Sequence, residues 1–241
     1  MSLIIRLKQL IDFYVKHSRA TLKYILVSAT ALLLLSVSGI HFLAHLGMPE
    51  AEVLLASMYR DGWAIYPKDV NKAKQLYLSA SKKNYPQAQC DLGWIYEKEK
   101  NYRYAIYLYK AAALQNLIEC QYNLATMYDR GFGVVKDHSK AFILYKFVAD
   151  KNYSPAQFSV GYDYINGVGT EKNINLGLTY LKKAAENNNK NAQGYLAWLY
   201  FSNEVISQDI SSSRKWAEIA KKNGEQNMEY LLDQLSTIQK D

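Results

Sequence analysis

Histidine and cysteine are scarce in this 241-residue chain, with four of the first and two of the second. No paired acid–base signature accompanies the four histidines, which argues against an enzyme and leaves no cofactor or metal expected. Two cysteines are too few for a disulfide framework. Neither lies near the apolar run of the amino-terminal region, which excludes lipid attachment there. Basic charge is also sparse where a nucleic-acid surface would need it. Of the formal net charge of +7, residues 1–23 hold five basic side chains (Arg6, Lys8, Lys16, Arg19, Lys23) and the acid Asp12, so only +3 belongs to everything downstream. The pI of 9.1 is therefore largely a property of the leader, and no nucleic-acid partner is expected.

Formal charge is absent from Tyr24 to Leu46 unless a histidine protonates, and the centre Ala29-Thr30-Ala31-Leu32-Leu33-Leu34-Leu35 is strongly apolar. About 20 such residues cross the roughly 30 Å hydrocarbon core of a bilayer as a helix. A cleaved signal peptide is the rival reading, with Ser36-Val37-Ser38 before Gly39 as a small-residue site. The long basic region and the apolar continuation through Ile40, Phe42, Leu43 and Leu46 favour an uncleaved anchor over residues 24–46. Basic residues before the span and Glu50 and Glu52 after it place the amino terminus in the cytoplasm and the rest outside, across an inner or plasma membrane. Leu3, Leu7, Leu10, Ile11 and Tyr14 recur at helical spacing, so residues 1–23 are expected to be a basic cytoplasmic segment with an amphipathic helix.

Downstream the chain repeats itself. The pattern A-x-x-x-[LV]-[GA]-x-x-Y runs from Ala51 to Tyr59, Ala88 to Tyr96, Cys120 to Tyr128, Ala156 to Tyr164 and Ala192 to Tyr200. Its closing tyrosines stand 37, 32, 36 and 36 residues apart. A fixed period of 20 to 50 residues marks a stacked array. At about 100° per residue, positions 0, 4, 7 and 8 of each opening segment share one packing face, and position 5 is small where a second helix must approach. The second segments begin near Ala73, Ala105, Ala141, Gly177 and Ser213, and carry Leu76-Tyr77, Leu108-Tyr109, Leu144-Tyr145, Tyr180-Leu181 and Trp216-Ala217. Each unit reads as a helix–turn–helix pair, and stacked pairs make an α-solenoid.

These residues resemble the Sel-1-like repeat, a relative of the tetratricopeptide repeat with a glycine-bearing loop. The fullest copy is Leu124-Ala125-Thr126-Met127-Tyr128, then Gly131-Phe132-Gly133-Val134-Val135-Lys136-Asp137, then Lys140-Ala141. The resemblance covers residues 49–224. The second copy replaces its glycine loop with Glu97-Lys98-Glu99-Lys100-Asn101, and the fifth has an irregular segment from Phe201 to Asp209. Residues 225–241 read as a capping helix, with Met228, Leu231, Leu232 and Leu235 on its apolar side. The expected fold is all-α: about five helix pairs behind one amino-terminal transmembrane helix.

Several features suggest chemistry and lose it on inspection. Gly131-Phe132-Gly133 and Gly167-Val168-Gly169 lie between helices rather than after a strand, so they read as turn glycines and not phosphate loops. Ser79-Ala80-Ser81-Lys82 has an S-x-x-K spacing but no S-D-N or K-T-G companion. His41 and His45 share a helical face with no carboxylate or cysteine close in sequence, so packing or membrane-interface placement is the expectation. Cys120 takes the small position 0 of its copy and Cys90 position 2 of the one before; as different helix faces, they are expected to be unbridged small side chains.

Positions 2 and 6 of the opening helices fall opposite the packing face, yet carry Trp94, Tyr122, Phe158, Tyr162 and Trp198. Similar solenoids line their concave surface with opening helices, and tryptophan and tyrosine are favoured interface anchors. These five are the expected contact residues for a protein or peptide partner; packing on loops or neighbouring repeats is the rival reading. The resemblance implies a membrane-anchored, non-catalytic binding module. One form is an immunity protein that neutralises a cognate secreted toxin, such as a lipase effector, in the periplasm. The alternative is an envelope assembly or signalling adaptor, and a cell-wall-directed hydrolase is a remote third.

Overall fold

A computed structural model describes residues 30–63 and 65–238. Among these residues twelve helices follow one another: α1 Thr30–His45, α2 Pro49–Asp61, α3 Val70–Lys82, α4 Pro86–Lys98, α5 Tyr102–Leu114, α6 Ile118–Arg130, α7 His138–Ala149, α8 Ser154–Asn166, α9 Ile174–Glu186, α10 Lys190–Ser202, α11 Ile210–Lys222 and α12 Met228–Ile238. The chain is an all-α solenoid in which α2, α4, α6, α8 and α10 open the five repeats and α3, α5, α7, α9 and α11 close them. The described residues fall into two compact units, one ending at Leu117 and the other beginning at Ile118. In each, every helix packs on the next in sequence.

The repeat reproduces its own boundaries. Proline stands in the first turn of α2, α4 and α8, where its missing N–H breaks no helical bond. The closing helices α3, α7, α9 and α11 begin after Asp69, Asp137, Asn173 and Asp209, whose side chains accept from the amides of Lys72, Lys140, Leu176 and Ser212. The same four cap residues donate their own amides to the carbonyls of the closing tyrosines Tyr59, Tyr128, Tyr164 and Tyr200 at 2.7 to 2.9 Å. The loop length between the paired helices is thus pinned at both ends. Glycine starts the loop in the left-handed conformation at Gly62, Gly131 and Gly167, which makes these turn glycines in geometry as in sequence. Between repeats the left-handed residue is Asn84, Asn116, Asn152 and Asn188, then Gly224. This second periodic signal, asparagine in the αL turn, is as regular as the tyrosines.

Small residues set the helix-pair distance. Ala56, Ala125 and Ala197 at position 5 have no exposure. At Gly161 a Cβ would lie 2.7 Å from Leu181 Cγ and 3.0 Å from the carbonyl oxygen of Gly177. Position 7 is buried at Met58, Ile95, Met127, Asp163 and Leu199, four of them apolar. A polar ladder crosses this core at position 1. Gln89 takes a hydrogen bond from Gln115 Nε2 at 2.9 Å, Gln157 from Asn187 Nδ2 at 3.1 Å and Gln193 from Asn223 Nδ2 at 2.9 Å. Gln193 in turn donates to the Ala185 carbonyl at 2.9 Å. In the first repeat an ion pair replaces the amides: the buried carboxylate of Glu52 accepts from Lys83 Nζ at 2.7 Å and from Ser79 Oγ at 2.7 Å. The serine of the S-x-x-K spacing is therefore occupied within the array.

The apolar run at the amino-terminal side behaves differently at its two ends. Residues 1–29, which carry the basic segment and the first part of the expected 24–46 span, lie outside the described residues. Among the described residues no helix is long and apolar enough to cross a membrane, α1 having 16 residues. The last turns of α1 form part of the array: Leu43 and Ala44 are buried against Ala51, Leu55 and Met58 of α2 and Tyr66 of the following loop. At the other end Met228, Leu231 and Leu235 of α12 pack on Ala217 and Ala220 of α11.

One expectation is overturned. Cys90 and Cys120 are both disulfide-bonded, and no cysteine of the chain remains a thiol. The angular argument compared two positions on one idealised helix and left out the displacement from one repeat to the next. The equivalent pairs show the effect. Val53 at position 2 shares a core cluster with Ala88 at position 0 of the next copy, and Tyr122 with Ala156, and Phe158 with Ala192. In each of these pairs position 2 faces the position 0 that follows it, so the angle around a single helix does not by itself keep two such side chains apart.

Candidate functional site

The same displacement divides the aromatic stripe. Position 2 is drawn inward in the first three copies: Val53 and Cys90 are buried, and Tyr122 packs against Tyr145 and Tyr153 of its own repeat with ring centroids 5.4 Å from each. At position 6 two rings are exposed, Trp94 at 41% and Tyr162 at 43%, while Trp198 is half-buried. Trp94 lies in the first unit, its ring flanked by the Arg60 guanidinium at 5.9 Å and the Lys98 ammonium at 5.3 Å. Arg60 is held in turn by Asp61 and Asp91, at 2.8 Å and 3.0 Å.

In the second unit, three of the five expected residues come together on α8 and α10. Phe158 meets Tyr195 edge to face at 6.2 Å, Tyr162 meets Tyr195 at 5.6 Å, and Phe158 and Tyr162 are 6.4 Å apart. Trp198 continues the surface, edge-on to Phe201 at 5.8 Å and tilted against Tyr230 of α12 at 6.5 Å. Phe158, Tyr195, Trp198, Glu225 and Met228 line a groove of about 240 Å³. Its floor exists because position 2 of the fifth copy is Gly194, where a Cβ would stand 3.2 Å from Glu225 Cγ. Tyr195 and Tyr230 belong to this surface and escaped the stripe argument. Tyr195 sits at position 3, where the other copies carry Leu54, Asp91, Asn123 and Ser159, so no periodicity singles it out. Asn166 Nδ2 donates to the Tyr195 hydroxyl at 3.2 Å and fixes the ring.

A cluster of ionisable side chains lies elsewhere in this unit. Asp163 is buried at position 7, and loss of hydration, with the Asp129 carboxylate as a second cause, pushes its carboxyl up to about 7. His138 Nδ1 lies 2.7 Å from Asp129 Oδ1, a spacing the Nδ1–H tautomer satisfies by donating. An open depression of about 670 Å³ runs along Tyr128, Val134 to Ser139 and Gly169, with His138 on its wall. The two carboxyl groups are not part of that wall. Asp163 is therefore placed to affect stability rather than to meet a substrate. His41 and His45 are exposed near the end of α1, where the His41 ring lies 5.6 Å from Tyr66.

The Sel1 repeat model matches residues 49–85, 86–117, 118–153, 154–189 and 190–225. Among curated protein sequences, none matches this chain. Among solved structures, a Sel1 repeat protein from Oxalobacter formigenes is 27% identical with a TM-score of 0.72, covering 84% of each chain. A protective antigen of uropathogenic Escherichia coli is 25% identical with a TM-score of 0.67, over 82% of this chain and 43% of that one. An immunity protein from Pseudomonas aeruginosa is 20% identical with a TM-score of 0.54, over 78% of this chain and 73% of that one, a likeness of fold.

Proposed function

The chain belongs to the Sel1 repeat family and is a Sel1-repeat protein-interaction module, and from that premise we propose that it is a non-catalytic binding protein held at a membrane, with its repeats outside the cytoplasm. The observation that carries the binding reading is the aromatic surface of Phe158, Tyr162, Tyr195 and Trp198. Tyr162 is 43% exposed on a helix face where a solvated array would carry charge. Aromatic side chains of this kind contribute most of the binding energy in protein interfaces. The surface is ready-made: the rings brace one another, so little conformational entropy is lost on binding.

Two features support the placement. The disulfide-bonded cysteines fit an oxidising compartment such as a periplasm. The uncharged run from Tyr24 to Leu46, behind five basic residues, fits an anchor with its amino terminus in the cytoplasm. In this setting the partner we favour is a secreted toxin, which the protein neutralises as an immunity protein; an envelope assembly or signalling adaptor uses the same surface on another partner.

The test is protection. Cells expressing the full chain are challenged with a secreted lipase effector from the same envelope, in parallel with cells expressing a Tyr162→Ala/Trp198→Ala variant. Survival with the wild type and killing with the folded variant support the reading. Equal protection by both removes the aromatic surface from the function. No protection by either, with an envelope-biogenesis protein retained by the wild type alone, transfers the reading to an adaptor.

A further inference from the structure

The end of α1 has two unlike sides. Leu43 and Ala44 are buried against α2, whereas Phe42 and Leu46 on the other side are 61% and 62% exposed. The loop after α2 comes to the same place. Tyr66 is buried in the cluster that holds Leu43, its ring lies tilted against His41 at 5.6 Å, and its amide donates to the Trp63 carbonyl at 3.0 Å. Beside it Trp63 is 40% and Ile65 71% exposed. Four large apolar side chains thus stand exposed on the two segments that Tyr66 joins, the end of α1 and the loop after α2. Lys68, exposed, folds back against Gly62 at the base of this loop.

Their position along the chain identifies what covers them. A membrane-crossing helix needs about 20 residues, and counted from Tyr24, the first residue of the uncharged run, that length ends at Leu43. Residues 41–46 then leave the hydrocarbon at the headgroup layer, and the loop tied to them through Tyr66 enters at the same depth. Tryptophan is enriched at this interface because its ring is apolar and its N–H needs a partner. A lysine beside it suits lipid phosphate.

We propose that Phe42, Leu46, Trp63 and Ile65 form a lipid-docking surface that seats the first repeat on the outer face of the bilayer. The surface rests on the anchored reading given above, and it adds what that reading lacks, a contact between the repeats themselves and lipid. The first repeat is then not a tethered body on a loose stalk.

The full chain is reconstituted into vesicles of phosphatidylcholine and phosphatidylglycerol, with three of its four tryptophans changed to phenylalanine. One protein keeps Trp63 and the other keeps Trp94, which is on the second repeat and equally exposed, at 41%. Lipid brominated close to the glycerol end of its acyl chains quenches tryptophan on contact. The surface requires Trp63 to be quenched about threefold or more beyond Trp94, and Phe42→Ser/Leu46→Ser/Ile65→Ser to abolish the difference while circular dichroism is unchanged. An alkaline carbonate wash examines the anchor separately. Protein that resists the wash with Trp63 and Trp94 alike keeps its anchor and loses the docking surface. Protein stripped by the wash with Trp63 quenched keeps the surface and loses the transmembrane anchor. Stripping without quenching overturns both, and a detergent-solubilised dimer that needs Phe42 and Leu46 replaces lipid by a second copy.

Discussion

Asp163 occupies a place that Met58, Ile95, Met127 and Leu199 hold in the other copies, and burial raises its carboxyl from 3.8 to about 7. Between those two values the folded chain keeps a proton that the unfolded chain has released. Stability therefore falls as pH rises through this window, by up to about 1.4 kcal/mol per pH unit, and the loss is complete above pH 7. The groups facing the carboxyl include Asp129, itself in contact with His138, and the Tyr145 hydroxyl. Urea unfolding at pH 5 and pH 8 measures the effect. Asp163→Leu is expected to be more stable than the wild type at pH 8 by roughly 2 kcal/mol or more, with a much smaller difference at pH 5. The same difference at both pH values means that Asp163 is ionised throughout. Residues at this scale were partly legible in the sequence. The small and apolar positions were clear, but the position 1 ladder of Glu52, Gln89, Gln121, Gln157 and Gln193 is just as periodic and passes for a solvated stripe. Only the partner side chains, such as Asn187 and Asn223 near the ends of the closing helices, reveal that it is internal.

Helix pairs are set by how closely backbones approach. Gly161 of α8 and Gly177 of α9 face each other so tightly that a Cβ on Gly177 would lie 2.7 Å from Ile165 Cγ1 and 2.9 Å from the Gly161 carbonyl. Gly161→Ala is expected to destabilise by about 1–3 kcal/mol through overpacking, seen as a lowered thermal midpoint. Gly194→Ala is the matched control. Its new Cβ meets only the flexible Glu225 side chain, at 3.2 Å, with Met228 beyond, and alanine gains about 1 kcal/mol of helix propensity over glycine. It should be neutral or stabilising while narrowing the groove beside Trp198. If both substitutions cost the same, the α8–α9 contact is looser than its geometry. At this scale the helices, their order and their loops follow from the period, the Asp and Asn caps and the glycines. What the period does not contain is which of positions 2 and 6 stays open, because that depends on where the following helix sits.

Across the molecule, the disulfide is the constraint that no local pattern announces. Breaking it frees the unfolded chain, at a cost of about 2–4 kcal/mol. Thermal unfolding with and without dithiothreitol should show that loss, and a Cys90→Ser/Cys120→Ser protein should unfold like the reduced wild type and ignore the reductant. An unchanged midpoint in reductant argues that the bond adds nothing to folding, and takes away the support it lends to an oxidising compartment. By itself the sequence determined the all-α class, the five repeats, the turn glycines and the pairing of small residues with large ones. Each of these is a local or periodic property, repeated five times, so one copy interprets the next. Tertiary structure alone decided that Cys90 and Cys120 are bonded, that Tyr122 packs inward while Tyr162 stays open, that Tyr195 and Tyr230 join Trp198, and that α1 ends with one buried and one exposed side. All of these depend on which side chain of a neighbouring helix comes to lie against a given position, and that leaves no period of its own in the chain.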